Sequence, residues 1–483
     1  MRSICRCVPY HGCVAYKEAA ADAGDATDVD NVRKQGCFSP KSPLSGHPEL
    51  PMISETRNVH SPQTASAGGR VNSETAESLR HRAFFIELAS LADADPSWRA
   101  VTAGLVVLRL FEAWVEDGAA VVAADSWGLR SVRAAIDDMP EGMPARTLLA
   151  GVVEALVTSR SGDLHAIAPR LMAYARSLDL DARWTLAADV YETILNHVHP
   201  VEDADVAVNA LLRRAYCLRQ VGDLPGASSA YATAAEVATR CGDIIGALRA
   251  RIGEAKVLAA KGNLPAADTL LEETVARASE HELMEVRSLA THDRSYIAHM
   301  RGQYDAAVRF AYDAMRESTS ERERDRILGD LAGSFYMLGV KSAARDAFSI
   351  LAATAQEQYQ RWVATINLME LAAEEGVSLQ FERHRQQLAS AKLPPLLRTQ
   401  FELHVGRGYQ SFGEYSAART WLERAVRTAS EHSFNQFLFE AESALASNEP
   451  KAASRATPTP FEVPDDVNEI AAELKEMRVS MMV

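Results

Sequence analysis

Two stretches decide how this chain is read: "VGDLPGASSAY", residues 221–231, and "KGNLPAADTLL", residues 261–271. Each sets Gly, then Asp or Asn, then Leu-Pro, then a small pair ending in Ala, and Gly222 and Gly262 stand 40 residues apart. Working outward, Gly302 opens "GQYDAAVRF" 40 residues on, Gly339 opens "GVKSAARDAF" after 37, and Gly413 opens "GEYSAARTWL" after twice 37. Gly376 lies midway between the last two, in the degraded "GVSLQFERH". Backwards in steps of 40, the slot falls on Ala182 and then Gly142; after Ala182, Ala187 and Tyr191 match Ala227 and Tyr231.

A glycine at the end of a helix adopts the left-handed conformation that closes the last turn. The Asp, Asn or Glu behind it suits a turn and a helix start, and Pro225 and Pro265 suit the first turn of the next helix. Ala227, Ala267, Ala307, Ala344 and Ala418, each five residues past the glycine, leave room for two helices to approach closely. Tyr231, Leu271, Ala311, Phe348 and Leu422 follow one turn later on the same face. The spacing therefore predicts antiparallel helix pairs, each burying its apolar side against the next.

Composition agrees. The 483 residues are 47% hydrophobic with few β-branched clusters, which suits a large helical core. A net charge of −14 argues against nucleic-acid binding and against adsorption to anionic membranes. No apolar run reaches membrane-spanning length; "VTAGLVVLRLFEAWVEDG" from Val101 is broken by Arg109 and Glu112. The N-terminus lacks a signal-peptide core, so a cytoplasmic location is expected. Residues 1–72, rich in Pro, Ser, Gly and Asp, read as a disordered leader, and Met52 is a possible alternative start. Within it, Cys5, Cys7, His11 and Cys13 lack the CxxC spacing of a structural zinc site. Helical periodicity begins near Ser73, giving an N-terminal helical cap over 73–160 and the repeats over 161–446.

These residues resemble the tetratricopeptide repeat family. "LAGSFYMLGVKSAARDAF" matches its pattern through Leu331, Ala332, Phe335, Ala344 and Phe348. "HVGRGYQSFGEYSAARTWLERAV" matches through Val405, Gly406, Tyr409, Gly413, Tyr415, Ala418, Leu422 and Ala425. Departures are Arg214, Glu254 and Arg294 at three apolar positions, and Phe381 where Ala is expected. The 40-residue units are similar to the longer-period variant common in bacterial regulatory proteins. The resemblance implies an all-α, right-handed superhelix whose first helices line a concave groove. On that reading the groove carries Arg213, Tyr216, Arg219, Arg249, Ile252, Lys256, His292, Tyr296, His299, Arg326, Tyr336 and Arg407. Basic and aromatic side chains gathered on an acidic protein suit an acidic or C-terminal peptide. The competing reading is that several pair with Asp293, Asp330, Glu254 or Glu370 of the same helices. The Lys/Asn/Arg clamp some relatives use for terminal carboxylates is not reproduced as a set.

Catalytic signatures are missing: there is no GxxxxGK[ST], GxGxxG or GxSxG. His281-Glu282 starts like HExxH, but "VARASEH" recurs as "VRTASEH" ending at His432, which makes these histidines helix-end features. His292 and His299 stand seven apart, too far for one metal, and His197 and His199 sit in a joint, so no metal or other cofactor is expected. After the linker 447–463, residues 464–483 read as an amphipathic helix with Val467, Ile470, Leu474 and Met477 in a stripe and Asp465 or Asp466 as cap. It folds back, holding part of the array until a partner displaces it, or engages a partner helix, or is a loosely attached tail helix. The expected function is a noncatalytic protein-interaction scaffold; the alternative is a sensory or regulatory module that answers to a peptide or small ligand and acts through another protein. An enzyme site in the 73–160 helices is a third possibility with little to support it. The oligomeric state is open.

Overall fold

The computed structural model describes residues 80–91, 95–123, 126–160, 163–449 and 463–481. The leader 1–72, with Met52 and its Cys/His group, and most of the 447–463 linker lie outside these residues. Twenty α-helices and no strand occur among the described residues. Helices α1 (Arg82–Ser90), α2 (Pro96–Asp117), α3 (Trp127–Asp137) and α4 (Pro144–Thr158) precede the pairs. The pairs are α5/α6 (Ala168–Leu180, Trp184–Leu195), α7/α8 (Ala204–Gln220, Leu224–Cys241) and α9/α10 (Ile244–Ala260, Leu264–Glu280). Then come α11/α12 (Met284–Met300, Tyr304–Glu317), α13/α14 (Glu321–Leu338, Lys341–Thr354), α15/α16 (Gln358–Glu374, Ser378–Ala389) and α17/α18 (Pro395–Ser411, Tyr415–Glu431). A last first-type helix, α19 (Asn435–Ala446), follows, and α20 (Asp465–Ser480) ends the described chain. The protein is an all-α solenoid of tetratricopeptide-like antiparallel pairs.

The turn found in the sequence is the structural unit. Every member of the series, Gly142, Ala182, Gly222, Gly262, Gly302, Gly339, Gly376 and Gly413, has positive φ, from 59° at Ala182 to 90° at Gly339. At the second pair, Asp223 N donates to Leu218 O at 2.9 Å and Gly222 N to Arg219 O at 3.1 Å, closing the carbonyls of α7. The Asp223 side chain then accepts from Gly226 N at 2.9 Å and starts α8. The same long bond recurs from Asn263 to Leu258, Gln303 to Ala298, Val340 to Phe335, Val377 to Ala372 and Glu414 to Tyr409.

Ala227, Ala267, Ala307, Ala344 and Ala418 are all fully buried, where a larger side chain would hold the paired helices apart. In the degraded pair Phe381 fills the alanine slot, and its ring packs over Gly408 on α17, the first helix of the next pair. Tyr231 lies in the same way over Gly253 of α9. The apolar core runs without a break from Phe84 on α1 through Trp114 and Tyr174 to Cys217 on α7, so the cap and the first pairs share one interior.

Helix α20 lies against α12 and α14, the second helices of two successive pairs. Val467, Ile470 and Leu474 join the interior of that region, while Met477, counted in the same stripe from the sequence, stays largely outside. Asp465 and Asp466 fall in its first turn, where the positive end of the helix dipole favours carboxylates. The capping expectation is met in part: Pro464 holds the cap position, and the Asp466 side chain accepts from Val467 N at 2.9 Å in the first turn.

Two glycine substitutions separate the two constraints. Gly262→Ala (φ 81°) should cost about 1–2 kcal/mol for the left-handed turn. Gly253→Ala should cost about 1–3 kcal/mol by driving a methyl into Tyr231, although alanine is the better helix former. Denaturant unfolding of both variants measures the two losses.

Candidate functional site

The first helix of each pair, α5 through α19 alternately, forms the inner wall. Its polar side chains join one pair to the next at an offset of roughly one repeat. Arg213 on α7 donates to Asp179 on α5 at 2.6 Å, and Asp179, fully buried, also accepts from Tyr191 at 3.0 Å. Lys256 on α9 lies 3.3 Å from Asp293 on α11, with both side chains nearly buried, and Arg249 lies 3.6 Å from Glu285. His292 on α11 meets two α13 carboxylates, Glu323 at 3.0 Å and Asp330 at 2.9 Å. Tyr336 on α13 donates to Glu374 on α15 at 2.6 Å. His404 on α17 lies 3.4 Å from Glu370 on α15, and Arg407 donates to Glu440 on α19 at 2.9 Å.

Each expected groove residue therefore has a definite place. Arg213, Arg249 and Lys256 come together around one cavity. Tyr216 does not reach the groove surface: it is buried between Arg213 and Arg219, whose guanidinium carbons stand 4.7 and 5.6 Å from its ring. His292 is likewise in the wall and not on it, 1% exposed. Tyr336 is buried against Glu374. Tyr296 and His299 are half-buried; the His299 ring packs edge-on to Tyr304 and its Nδ1 lies 3.1 Å from Ser334 Oγ. Arg326 pairs with Glu323 within its own helix at 3.0 Å, and Arg407 sits at the far end of the array. The competing pairing holds for Lys256 with Asp293 and for His292 with Asp330, each between two helices; Glu370 meets His404, which is not one of the expected groove residues.

The cavity occupies about 500 Å³ between α5, α7, α9 and α11. Arg176, Arg213, Arg249, Lys256 and one carboxylate, Asp205, supply its charge; Met172, Leu212, Ile252 and Leu289 supply an apolar floor. Arg176 Nη1 lies 3.6 Å from Asp179 Oδ2 and Arg249 Nη2 lies 3.6 Å from Glu285 Oε1, so both guanidinium groups line the cavity in long ion pairs. A ligand carboxylate in the cavity would compete with these acids for the guanidinium groups. Gly253 sits on the lining beside Tyr231, so the missing side chain opens the cavity as well as the helix contact. A narrower cleft continues past Arg249 and Leu289 to Glu323, beside the His292 group.

Arg176, Asp179, Glu323 and Glu374 were not singled out from the sequence. A cation and an acid separated by one repeat length, as with Arg213 and Asp179, is the signal that could have found them. The three departures from the repeat pattern are partly explained by neighbouring second helices. Arg294 reaches Asp268 at 2.9 Å and Glu272 at 3.2 Å while lying over Phe310, and Arg214 reaches Glu192 at 3.1 Å. His281 and His432 close α10 and α18. Among the described residues no group of His, Cys, Asp or Glu is arranged to hold a metal, and no helix is long and apolar enough to cross a membrane.

No family model matches the chain, and no curated protein matches it. Several solved structures are similar to it at low identity. A Rap protein complexed with competence and sporulation factor is 14% identical, with 72% of this chain and 100% of that chain covered and a TM-score of 0.41. The apo form of RapI is 11% identical over 72% and 99% of the two chains, with a TM-score of 0.42. A human IFIT1 dimer with PPP-AAAA is 13% identical over 85% and 99%, with a TM-score of 0.33.

His292 gives the wall a pH dependence. Burial lowers its proton affinity, but the hydrogen bonds it donates to Asp330 and Glu323 outweigh this and raise its pKa to about 9. A group raised in the folded state contributes its full stability below the unfolded value of about 6.5 and loses it as pH passes the folded value. The melting temperature should therefore fall between pH 6.5 and 9, and His292→Gln should flatten that slope. His292→Ala should cost about 3–5 kcal/mol, because buried Asp330 loses its cation.

Proposed function

We propose that this chain is a noncatalytic interaction module of tetratricopeptide type, a cytoplasmic scaffold or adaptor whose inner groove takes an acidic segment or the C-terminal carboxylate of a protein or peptide. The observation that carries this is the cavity between α5 and α11, where Arg176, Arg213, Arg249 and Lys256 outnumber one lining carboxylate, Asp205, beside an apolar floor. That combination suits an anionic group next to an aliphatic or aromatic side chain, and the volume is in the range of small-ligand pockets. A preformed wall, held by ion pairs between successive helices, avoids ordering cost on binding.

A regulatory reading is favoured by one further feature. Arg213 and Lys256 line the cavity and also tie α7 to α5 and α9 to α11. A ligand that draws on these cations competes with Asp179 and Asp293 and changes how neighbouring pairs are coupled. On this reading the array senses a peptide and passes the change to a second protein.

An array of short acidic peptides with free C-termini tests the proposal. The chain should retain a subset in a salt-sensitive way, and Arg176→Ala with Arg249→Ala should weaken retention at least tenfold while the thermal melt stays in place. Equal retention by the double variant, or retention of nucleic acid instead of peptide, would overturn it.

A further inference from the structure

We propose that the outer face formed by α12 and α14 is a second binding surface, built for an amphipathic helix of a protein partner, and that α20 occupies it as an internal ligand. This surface is on the opposite side of the solenoid wall from the groove and does not depend on what the groove binds. It is made of second helices, whereas the groove is made of first helices.

The site is shaped for a helix. Val467, Ile470 and Leu474 of α20 are buried in one apolar cluster with side chains of α12 and α14, among them Val308, Ala343 and Ala347. Small residues on the array and aliphatic knobs on the incoming helix are the complementary halves of such a contact. Three polar pairs then fix direction and register. Arg309 on α12 forms a two-pronged pair with Asp466, its Nη2 at 3.1 Å from Asp466 Oδ1. Tyr312 donates to Glu473 midway along. Arg478 Nε lies 2.9 Å from Asp346 Oδ1, and Asp346 on α14 is a buried carboxylate, an expensive group to place on a surface with no cation to meet it.

Taken from Val467, the requirement is a carboxylate one residue before, aliphatics at the start and three and seven residues on, a second carboxylate six on and a cation eleven on. The Arg309–Asp466 pair is part exposed, so it selects and orients more than it holds. The hold rests on three aliphatic side chains, so a partner helix repeating this pattern can compete with α20 by mass action.

The test uses the full chain and a mass-labelled synthetic peptide of residues 463–483. Val467→Asp with Leu474→Asp frees the surface without changing any array residue. The peptide should bind this variant at least tenfold more tightly than the unaltered chain. Adding Arg309→Glu should weaken it severalfold, and the peptide with Asp466→Arg should recover the loss. In the unaltered chain, excess peptide should speed amide exchange across the chain's own residues 465–480, a readout that needs no variant to fold. Equal affinity for both chains, or exchange in 465–480 that ignores the peptide, would overturn the proposal. So would sedimentation showing a dimer that the double aspartate variant dissolves, because a second copy's helix would then be the occupant.

Discussion

The backbone reversal after each first helix is the constraint on which everything else rests. One residue held in the left-handed region and the two hydrogen bonds beside it turn the chain through a fixed angle, so the second helix runs back along the first. Fully buried alanines then let the two backbones come close. Because the same reversal is used each time, all first helices fall on one side and all second helices on the other. The groove and the α20 surface are both consequences of this sorting.

The sorting also explains why the inner wall is charged. Residues one repeat apart on successive first helices become neighbours, so Arg213 finds Asp179, Lys256 finds Asp293 and His292 finds Asp330. Pairs of this kind contribute little net stability compared with apolar packing, since each charge gives up water. What they supply is register: a pair shifted along its axis would leave a buried charge unmet. The apolar spine holds the pairs together, and the ion pairs fix how they line up. Where the spine is irregular the compensation is local, as with Phe381 against Gly408.

The two faces have different chemistry for a physical reason. The inner wall has four cations around a cavity with an apolar floor, and so offers electrostatic recognition. The outer face at α12 and α14 offers small apolar residues with charges at its rim, and so offers shape and register. An acidic chain can carry a cationic cavity because most acidic side chains not used in the wall stay in solvent.

The glycine series fixed the pairing, the period and the side on which each helix falls, because a left-handed turn is a local property written in a few residues. Even Ala182, where the glycine is lost, keeps the conformation with a φ of 59°. Arg213, Arg249 and Lys256 were legible as inner-wall residues from their distance to the turn. Which of the expected side chains reach open space was not legible. Tyr216 and His292 have the right register, yet Tyr216 is buried between two arginines of its own helix and His292 under carboxylates of α13. The cavity, the partners Asp179 and Glu323, and the position of α20 on the outer face all depend on contacts between residues at least 30 positions apart. Such contacts follow from how successive pairs pack against each other, which no single repeat encodes.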